Sequence, residues 1–427
     1  MCGVGPDQFE PVSRSGQSVA PHEMSGTIVI IGGGIAGLSA AEAARAAAPR
    51  ASIILLTKEQ ELPYYRLNLT RYLAGEIEVC ALAVHPEAWY AERAIDIRFD
   101  TKVTAIDPAG KTLAIKGQAP LPYDRLIMAM GAHPFVPPIS GVNRQQIVTL
   151  RTRSDADWIL RHCTQGTRCV IVGGGVLGLE TAAALARRHV EVTLLEGFPW
   201  LLPRQLNRPA SELLAVSARN QGITLILDAR IKQFDGDEQV RSVVLESGQV
   251  LSADLVIVTA GVRTNSYLAR LAGLEVKDGV VVDNHLRTSD CDIFAAGDLA
   301  EHQGVAYGTW APAQFQGTIA GMNAAGGNIS FAGIPRSNIL KVLDVDMFSI
   351  GQVHPDDASY QTFESQEAMT YRLLVFRDSR LVGAILVGDT AFAPKLKKLI
   401  ESQANCAELL KGPTGTQVIW QAVLNRD

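Results

Sequence analysis

Two glycine-rich motifs constrain the fold of this chain more than any other feature. They are copies of G-x-G-x-x-G, one at Gly32, Gly34 and Gly37 and the other at Gly173, Gly175 and Gly178. Each follows a short apolar run and opens a helical stretch, which is the context in which the motif binds a dinucleotide. Residues without a Cβ let a pyrophosphate approach the free N–H groups of a helix N-terminus. The sequence therefore predicts two dinucleotide-binding βαβ units.

The elements of both units can be read from the pattern. In the first unit we predict a strand at 27–31, a helix at 36–48 and a strand at 52–57. In the second we predict a strand at 169–172, a helix at 179–188 and a strand at 191–195. Strands that alternate with helices are typical of parallel sheets in α/β proteins.

Size and charge exclude several classes of protein. At 427 residues the chain is expected to form two or three domains. A net charge of -5 argues against a nucleic-acid binder and against a polybasic membrane surface. The sequence has no apolar run near the ~18 residues of a membrane span and no signal-peptide pattern. We expect a cytoplasmic protein with neither nucleic acid nor membrane as a partner.

The cysteine spacing carries no metal or redox motif. None of the six cysteines forms a C-x-x-C pair, which argues against a zinc ribbon and a thioredoxin-like centre. We therefore predict no metal site. The five cysteines after Cys2 are expected to be small buried residues.

A carboxylate after the second strand of each unit is the expected ribose ligand. Glu196 follows Gly173 by 23 residues, at the strand end, and a carboxylate there repels a 2′-phosphate. Residues 197–200 offer no cation, so NADH is favoured over NADPH. In the first unit Thr57 occupies the usual position, and Glu59 is the candidate. Glu196 as a solvated residue and Glu59 as a loop carboxylate are the alternatives.

Further strands follow the glycine-rich units. A strand within 123–130 runs into a turn at Gly131, which we predict to be a cofactor-binding position, and the prolines at 134, 137 and 138 form a stiff domain crossing. From about residue 338 the pattern predicts strands at 339–345, 347–353, 371–377 and 381–387. A basic helix at 394–402 completes a small α+β domain.

A third motif connects these observations to a known family. Residues 293–298 end in Ala-Ala-Gly-Asp after the two glycine-rich units, and this order resembles the pyridine nucleotide–disulfide oxidoreductases. The resemblance implies an α/β fold with two Rossmann-like dinucleotide-binding domains, glutathione-reductase-like, and a small α+β C-terminal domain. It implies that Asp298 binds the ribityl chain of FAD and that Glu180 lies near the nicotinamide. A buried helix N-terminal carboxylate is the alternative for Glu180.

The same resemblance implies the domain boundaries. The FAD-binding domain is expected to comprise residues 27–140 and 265–330, with the NAD-binding domain inserted at 141–264. Residues 331–427 are expected to form the C-terminal domain.

The cysteine positions indicate a branch of this family. The chain has no cysteine pair on the first helix and no cysteine at 62–75, so no thiol relay is expected. Pro63-Tyr64-Tyr65-Arg66 resembles the NADH:rubredoxin reductase and nitrite reductase flavoprotein branch, which implies that Arg66 lies against FAD. A surface arginine is the alternative. The segment 307–312, with Trp310, resembles the part of that branch that closes over the isoalloxazine.

The N-terminus carries a separate resemblance. Residues 2–12, Cys-Gly-Val-Gly-Pro-Asp-Gln-Phe-Glu-Pro-Val, resemble the last stretch of a rubredoxin, and 1–26 is expected to be a linker. One thiolate cannot replace four iron ligands, so we expect no iron.

The predicted function is electron transfer from NADH through FAD to a one-electron carrier, most simply a rubredoxin. The alternatives are a ferredoxin reductase, a nitrite-reductase-type flavin module, and a non-enzymatic FAD-binding redox sensor. No catalytic acid or base is expected. Lys395, Lys397 and Lys398 are either a docking cluster for an acidic small iron–sulfur carrier or a solvated helix face. The sequence leaves monomer and homodimer open.

Overall fold

The structure is a computed structural model that describes residues 25–334, 337–411 and 415–424. The rubredoxin-like segment at 2–12 lies outside these residues. Within them, the strands are β1 Thr27–Ile31, β2 Ser52–Leu56, β3 Ile95–Arg98, β4 Val103–Asp107, β5 Thr112–Ile115, β6 Leu121–Pro122, β7 Arg125–Met128, β8 Ala132–Pro134, β9 Ile147–Thr149, β10 Arg168–Val172, β11 Glu191–Leu195, β12 Thr224–Ile226, β13 Ile231–Asp235, β14 Ser242–Leu245, β15 Val250–Ser252, β16 Leu255–Val258, β17 Val262–Thr264, β18 Val280–Val282, β19 Ile293–Ala295, β20 Ala300–His302, β21 Ser337–Val342, β22 Val345–Gly351, β23 Tyr360–Glu367, β24 Thr370–Arg377 and β25 Arg380–Val387. The α-helices are α1 Ile35–Ala47, α2 Leu69–Leu73, α3 Glu87–Glu92, α4 Arg153–His162, α5 Val176–Ala186, α6 Arg208–Asn220, α7 Tyr267–Leu271, α8 Trp310–Ala324, α9 Ala393–Glu401, α10 Ala407–Leu410 and α11 Thr416–Leu424. Short 3-10 turns span Arg66–Asn68, Val79–Leu82 and Gly297–Leu299.

The first parallel sheet has the strand order β19-β7-β1-β2-β3. Its central strand β1 is apolar and buried from Ile28 onward, as expected for a strand covered on both faces. In register, Ile31 lies beside Met128 of β7 and Leu56 of β2. The carboxyl ends of these strands therefore meet at one edge, where parallel sheets bind ligands.

The second parallel sheet has the order β12-β11-β10-β16-β9 and is built entirely from residues between β7 and β19. It is thus an insertion into the first sheet. Where the chain crosses between the two sheets, β8 pairs antiparallel with β17, with Ala132 opposite Thr264. The outgoing and returning segments therefore lie side by side.

Helices α1 and α8 cross at backbone contact. A Cβ on Gly317 would lie 2.2 Å from the carbonyl oxygen of Ala36, and a Cβ on Gly321 would lie 2.3 Å from that of Ala40. Only residues without a side chain allow this approach. The crossing fixes α8 against the helix that begins at the first glycine-rich turn.

The C-terminal sheet is antiparallel, with the order β21-β22-β25-β24-β23. Side chains of β24 alternate between two cores, as the period of two requires. Leu373 and Val375 belong to the core shared with α5 and α6, whereas Leu374 and Phe376 face the core shared with α9 and α11. The sheet is therefore covered on both faces.

Most predicted elements are confirmed within one to three residues at their ends, and the predictions of β1 and β11 match at both ends. The pattern missed β23, because this edge strand is mostly polar and exposed, and it also missed α11. The cysteine prediction is wrong for Cys80 and Cys291, which are exposed because they lie in a 3-10 turn and a surface loop. Cys163, Cys169 and Cys406 are buried as predicted. No helix among the described residues is long and apolar enough to cross a membrane.

The helix crossing yields a stability prediction. Gly321→Ala places a methyl group against the carbonyl of Ala40, so we expect the free energy of unfolding to fall by about 1–3 kcal/mol, as for other overpacked sites. Urea denaturation measures this change. Gln314→Ala, on the exposed face of α8, is the matched control and is expected to leave the midpoint unchanged. Equal midpoints for both variants would contradict the proposed constraint.

Candidate functional site

The glycines of the first motif have two different reasons to be glycine. Gly32 has φ +119°, and a Cβ there would lie 2.2 Å from the carbonyl oxygen of Ala129. A Cβ on Gly37 would lie 1.9 Å from the carbonyl oxygen of Gly32. Gly34, by contrast, has no atom within 4 Å of its Cβ position. The packing of the chain itself requires glycine at positions 32 and 37. Gly34 instead leaves open space, where the protein backbone is expected to approach the pyrophosphate of a ligand.

The second motif repeats this division. Gly173 has φ +115° and a Cβ position 2.7 Å from the carbonyl oxygen of Thr259, and that of Gly178 lies 1.9 Å from the carbonyl oxygen of Gly173. Gly175 again has nothing within 4 Å. Both turns therefore have the same shape, each with an open central glycine.

Glu196 is a buried carboxylate at the end of β11, beside the second turn. Its two oxygens accept hydrogen bonds from the backbone N–H groups of Gly174, at 2.7 Å, and Phe198, at 2.9 Å. These charge-assisted bonds fix the side chain at the turn. The alternative that Glu196 is a solvated residue is wrong, because only 7 % of it is exposed.

Three long helices begin without a side-chain cap. In α1, α5 and α8 the N-cap residues Gly34, Gly175 and Thr309 make no side-chain hydrogen bond to the helix. In α4 and α6 the caps Thr152 and Asn207 do accept one. The free N–H groups and the helix dipole make the uncapped ends suited to a phosphate or another anionic group.

A polar cluster surrounds Arg66, after β2. Arg66 donates to Glu59 at 2.7 Å and to the carbonyl oxygen of Arg151 at 2.5 Å. Tyr64 donates its hydroxyl to the other Glu59 oxygen at 2.7 Å and accepts the N–H of Arg153 at 3.1 Å. Burial acts to lower the pKa of Arg66, but Glu59 and Tyr64 raise it overall, so the guanidinium stays charged. The surface-arginine alternative is wrong, and the carboxylate of Glu59 is engaged by these two neighbours.

Arg151 extends the cluster to the third motif. Its guanidinium lies 2.9 Å from Asp298, and the Cβ position of Gly131, whose φ is +63°, lies 3.6 Å from the same nitrogen. The structure thus brings Glu59, Arg66, Gly131 and Asp298 together through Arg151, which the sequence reasoning missed. The sequence feature that could have drawn attention to Arg151 is the helix start beside it, where Thr152 and Asp155 form a capping box.

The start of α8 adds aromatic and amide groups. Trp310 stacks on Tyr65, with ring centroids 5.4 Å apart. Gln316, also missed from the sequence, accepts the N–H of Gly297 at 2.9 Å, next to Asp298. Its Nε2 is buried without a hydrogen-bond partner.

Glu180 lies on α5 and joins this helix to α2. It accepts the hydroxyl of Thr70 on α2 at 3.0 Å. Burial raises the pKa of this carboxyl, the Thr70 hydrogen bond opposes the rise, and nearby Glu76 adds to it. Glu180 therefore faces α2, which follows the second strand of the first sheet.

The proposed lysine cluster gains no support. Lys397 pairs with Glu401 of the same helix at 3.7 Å. Such exposed pairs are typical of a solvated helix surface.

Comparisons with known proteins agree with this architecture. Residues 26–317 match the family described as pyridine nucleotide-disulphide oxidoreductase, and residues 337–404 match the rubredoxin NAD+ reductase C-terminal domain. A nitrite reductase [NAD(P)H] of Bacillus subtilis is 30 % identical over 90 % of this chain. The chain spans about half the length of the first curated relatives it matches, 48 % in this case.

Two further relatives match over their whole length. The ferredoxin--NAD(+) reductase subunit of a benzene 1,2-dioxygenase system from Pseudomonas putida is 30 % identical, with 92 % of this chain and 100 % of that protein covered. The crystal structure of NADH:rubredoxin oxidoreductase from Clostridium acetobutylicum superposes with a TM-score of 0.81 at 28 % identity, covering 93 % of this chain and 100 % of that one. The fold, the three motifs and the matched families together establish that this chain belongs to the pyridine nucleotide-disulphide oxidoreductase family.

Proposed function

We propose that this chain is an FAD-dependent reductase that oxidises NADH and passes the electrons singly to a small iron–sulfur carrier, with rubredoxin as the first candidate. The observation that carries the proposal is the pair of open central glycines, Gly34 and Gly175, at the uncapped starts of two helices in one chain. Two dinucleotides can bind there at once, and α2 and α5 join the two units through Thr70 and Glu180.

In this proposal FAD occupies the first site. Its pyrophosphate lies at the N-terminus of α1, over Gly32, Gly34 and Gly37, and Asp298 holds the ribityl chain. Arg66 and Gly131 flank the cofactor and Trp310 covers it. Glu59 orients Arg66, and its role as a ribose ligand of FAD stays a prediction. The residues fit the group, because the Cβ position of Gly34 meets open space and the helix that begins there has no side-chain cap.

NADH occupies the second site. Gly173, Gly175 and Gly178 receive its pyrophosphate at the start of α5, and Glu196 accepts the ribose hydroxyls. The carboxylate of Glu196 already holds two backbone donors, so it stays in place and repels a 2′-phosphate. Glu180, on the same helix, positions the nicotinamide.

The domain assignment follows these sites. Residues 27–140 and 265–330 form the FAD-binding domain, 141–264 the NAD-binding domain, and 331–427 the C-terminal domain. The topology of an inserted second sheet supports the two inner boundaries.

The absence of a thiol near the flavin supports a one-electron acceptor outside the chain. FAD supplies a ring that accepts a hydride and releases electrons one at a time. Segment 62–75 has no cysteine, so the chain's own residues bind, orient and shield rather than relay electrons. The C-terminal match to rubredoxin NAD+ reductases favours rubredoxin.

A ferredoxin reductase is the second candidate function. The Pseudomonas putida ferredoxin--NAD(+) reductase subunit aligns over its full length with this chain. A nitrite-reductase-type module fits the other relatives, of which this chain spans about half. A non-enzymatic redox sensor is disfavoured because it has no need for a second dinucleotide site at Gly175 and Glu196. The cytoplasmic location and the oligomeric state stay predictions.

The acceptor can be tested directly. FAD-loaded protein is mixed without oxygen with NADH and purified rubredoxin, and with ferredoxin in a parallel reaction, while rubredoxin absorbance is followed. We expect fast bleaching of rubredoxin with NADH and slow bleaching with NADPH, because Glu196 repels the 2′-phosphate. Gly175→Ala is the matched control, since its methyl group meets open space in the fold but obstructs the dinucleotide.

The outcomes separate the alternatives. Reduction of ferredoxin but not of rubredoxin would indicate that the chain is a ferredoxin reductase, the second candidate function. A flavin that NADH does not reduce would overturn the reductase proposal itself.

Nucleotide preference gives a second prediction. Glu196→Ala removes the ribose acceptor and the charge, so we expect the KM for NADH to rise about 10- to 100-fold and the preference over NADPH to shrink. Steady-state kinetics with both nucleotides measures this. Glu212→Ala, an exposed carboxylate on α6, is the control. An unchanged NADH/NADPH ratio would refute the role of Glu196.

The raised pKa of Glu180 predicts a pH-dependent stability. Burial raises the pKa of the Glu180 carboxyl above its ordinary value. The folded state therefore holds the proton of this carboxyl more tightly than the unfolded state does. The free energy of unfolding therefore falls as the pH rises from the ordinary pKa of glutamate through the raised pKa of folded Glu180. Glu180→Gln has no titrating carboxyl and abolishes this loss. We expect the urea midpoint of the wild type, relative to that of Glu180→Gln, to be lower at about pH 8 than at about pH 5. Exposed Glu191→Gln is the control, and parallel pH curves for wild type and Glu180→Gln would contradict the prediction.

A further inference from the structure

A short loop, residues 197–201, follows Glu196 and lies against the second glycine-rich turn. The carboxylate of Glu196 accepts the N–H of Gly174 at 2.7 Å, and a Cβ on Gly174 would lie 2.8 Å from a methyl carbon of Leu201. Leu201 is fully buried, and its own N–H donates to the hydroxyl of Ser211 at 2.8 Å. Both ends of the loop are therefore fixed beside the turn that receives NADH in the proposed function.

Phe198 combines a fixed backbone with an exposed side chain. Its N–H donates to the Glu196 carboxylate at 2.9 Å, and its carbonyl oxygen accepts the N–H of Asp228 at 3.0 Å. Even so, 58 % of the residue is exposed. Trp200 in the same loop is half-buried and donates its indole N–H to the carbonyl oxygen of Leu206 at 3.1 Å. Trp200 thus holds the loop against the protein, whereas the ring of Phe198 is open to a ligand.

The place of Phe198 in the site gives its exposure a meaning. Single exposed apolar residues are common on protein surfaces and need no explanation by themselves. Phe198, however, is hydrogen-bonded to the carboxylate that the proposed function assigns to a ribose. The adenine of a dinucleotide is attached to C1′ of that ribose, so a ribose held by Glu196 brings the base to the residues that follow Glu196.

An aromatic ring at this position suits a purine. Every nucleobase has a π-face that stacks on aromatic side chains. Gly197, between Glu196 and Phe198, also leaves room for the base. Among the described residues, the nearest atom to its Cβ position outside its chain neighbours is the carbonyl oxygen of Ala229, at 3.9 Å.

We propose that Phe198 binds the adenine of NADH by stacking its ring on the base. Glu196 holds the ribose, and Phe198 holds the base attached to that ribose. The nicotinamide gains nothing from this contact, because it lies on the other side of the pyrophosphate. This inference rests on the proposed NADH site and adds a residue that neither the glycine-rich motif nor the family resemblance indicated.

The test uses two ligands that divide NADH into its halves. ADP-ribose carries the adenine without a nicotinamide, whereas reduced nicotinamide mononucleotide carries the nicotinamide without an adenine. Calorimetric titration of ADP-ribose into the FAD-loaded full chain gives a dissociation constant without turnover. Anaerobic flavin reduction is then followed at increasing concentrations of NADH and, separately, of reduced nicotinamide mononucleotide.

We expect Phe198→Ala to weaken ADP-ribose binding about 5- to 30-fold, as loss of one stacking contact implies, and to raise the NADH concentration for half-maximal flavin reduction by the same factor. The maximal rate with NADH and the rates with reduced nicotinamide mononucleotide should not change. Phe198→Tyr keeps the ring and should retain wild-type affinity. Phe198→Leu keeps apolar bulk without a π-face, and it gives the same comparison if Phe198→Ala does not fold.

Tyr267→Ala is the matched control. Tyr267 lies on α7 and is 69 % exposed, so this variant also removes an exposed aromatic ring, but outside both proposed dinucleotide sites. It should match the wild type in every measurement.

Two results would overturn the inference. One is wild-type affinity for ADP-ribose in Phe198→Ala. The other is an equal loss with reduced nicotinamide mononucleotide, which would show that Phe198 acts through the glycine-rich turn and not on the adenine. If the wild type itself neither binds ADP-ribose nor is reduced by NADH, the proposed function fails and this inference fails with it, an outcome that the wild type alone reveals.

Discussion

The backbone contact between α1 and α8 is the constraint on which the first site depends. Gly317 and Gly321 bring α8 against Ala36 and Ala40, so that a helix from late in the chain reaches the first glycine-rich turn. Close packing leaves little freedom to such a pair, because interiors are as dense as organic crystals. The position of Gln316 and of the turn that carries Asp298 follows from this contact.

Two ion pairs also hold the first site together. The ion pairs Glu59–Arg66 and Arg151–Asp298 are partly buried, and the carbonyl oxygen of Arg151 links them. Three segments far apart in sequence, after β2, before α4 and after β19, meet in this chain of contacts. Removal of one partner of such a pair leaves a partly buried charge without compensation. The three segments are therefore constrained to keep their positions relative to one another.

The sequence was sufficient for features that depend on local spacing. The two glycine-rich turns, the end of β11 at Glu196 and the parallel strands around them are encoded within stretches of about 25 residues. Arg151, Gln316 and Thr70 could not be found this way, because their importance arises from contacts with residues more than 15 positions away. Strand β23 escaped for a different reason, since its polar edge lacks the alternation that identifies a half-buried strand.

The paired crossing of β8 and β17 has an evolutionary consequence. Because these strands are antiparallel neighbours, the inserted sheet leaves and rejoins the first one about 5 Å apart, one strand spacing. A unit whose two ends meet in this way can be inserted without separating the strands of the first sheet, and an exchanged unit that keeps the contacts of Arg151 with Asp298 and of Glu180 with Thr70 would fit in its place. Gene-level recombination at this point can therefore give one flavin-binding half a new nucleotide specificity while its own architecture persists.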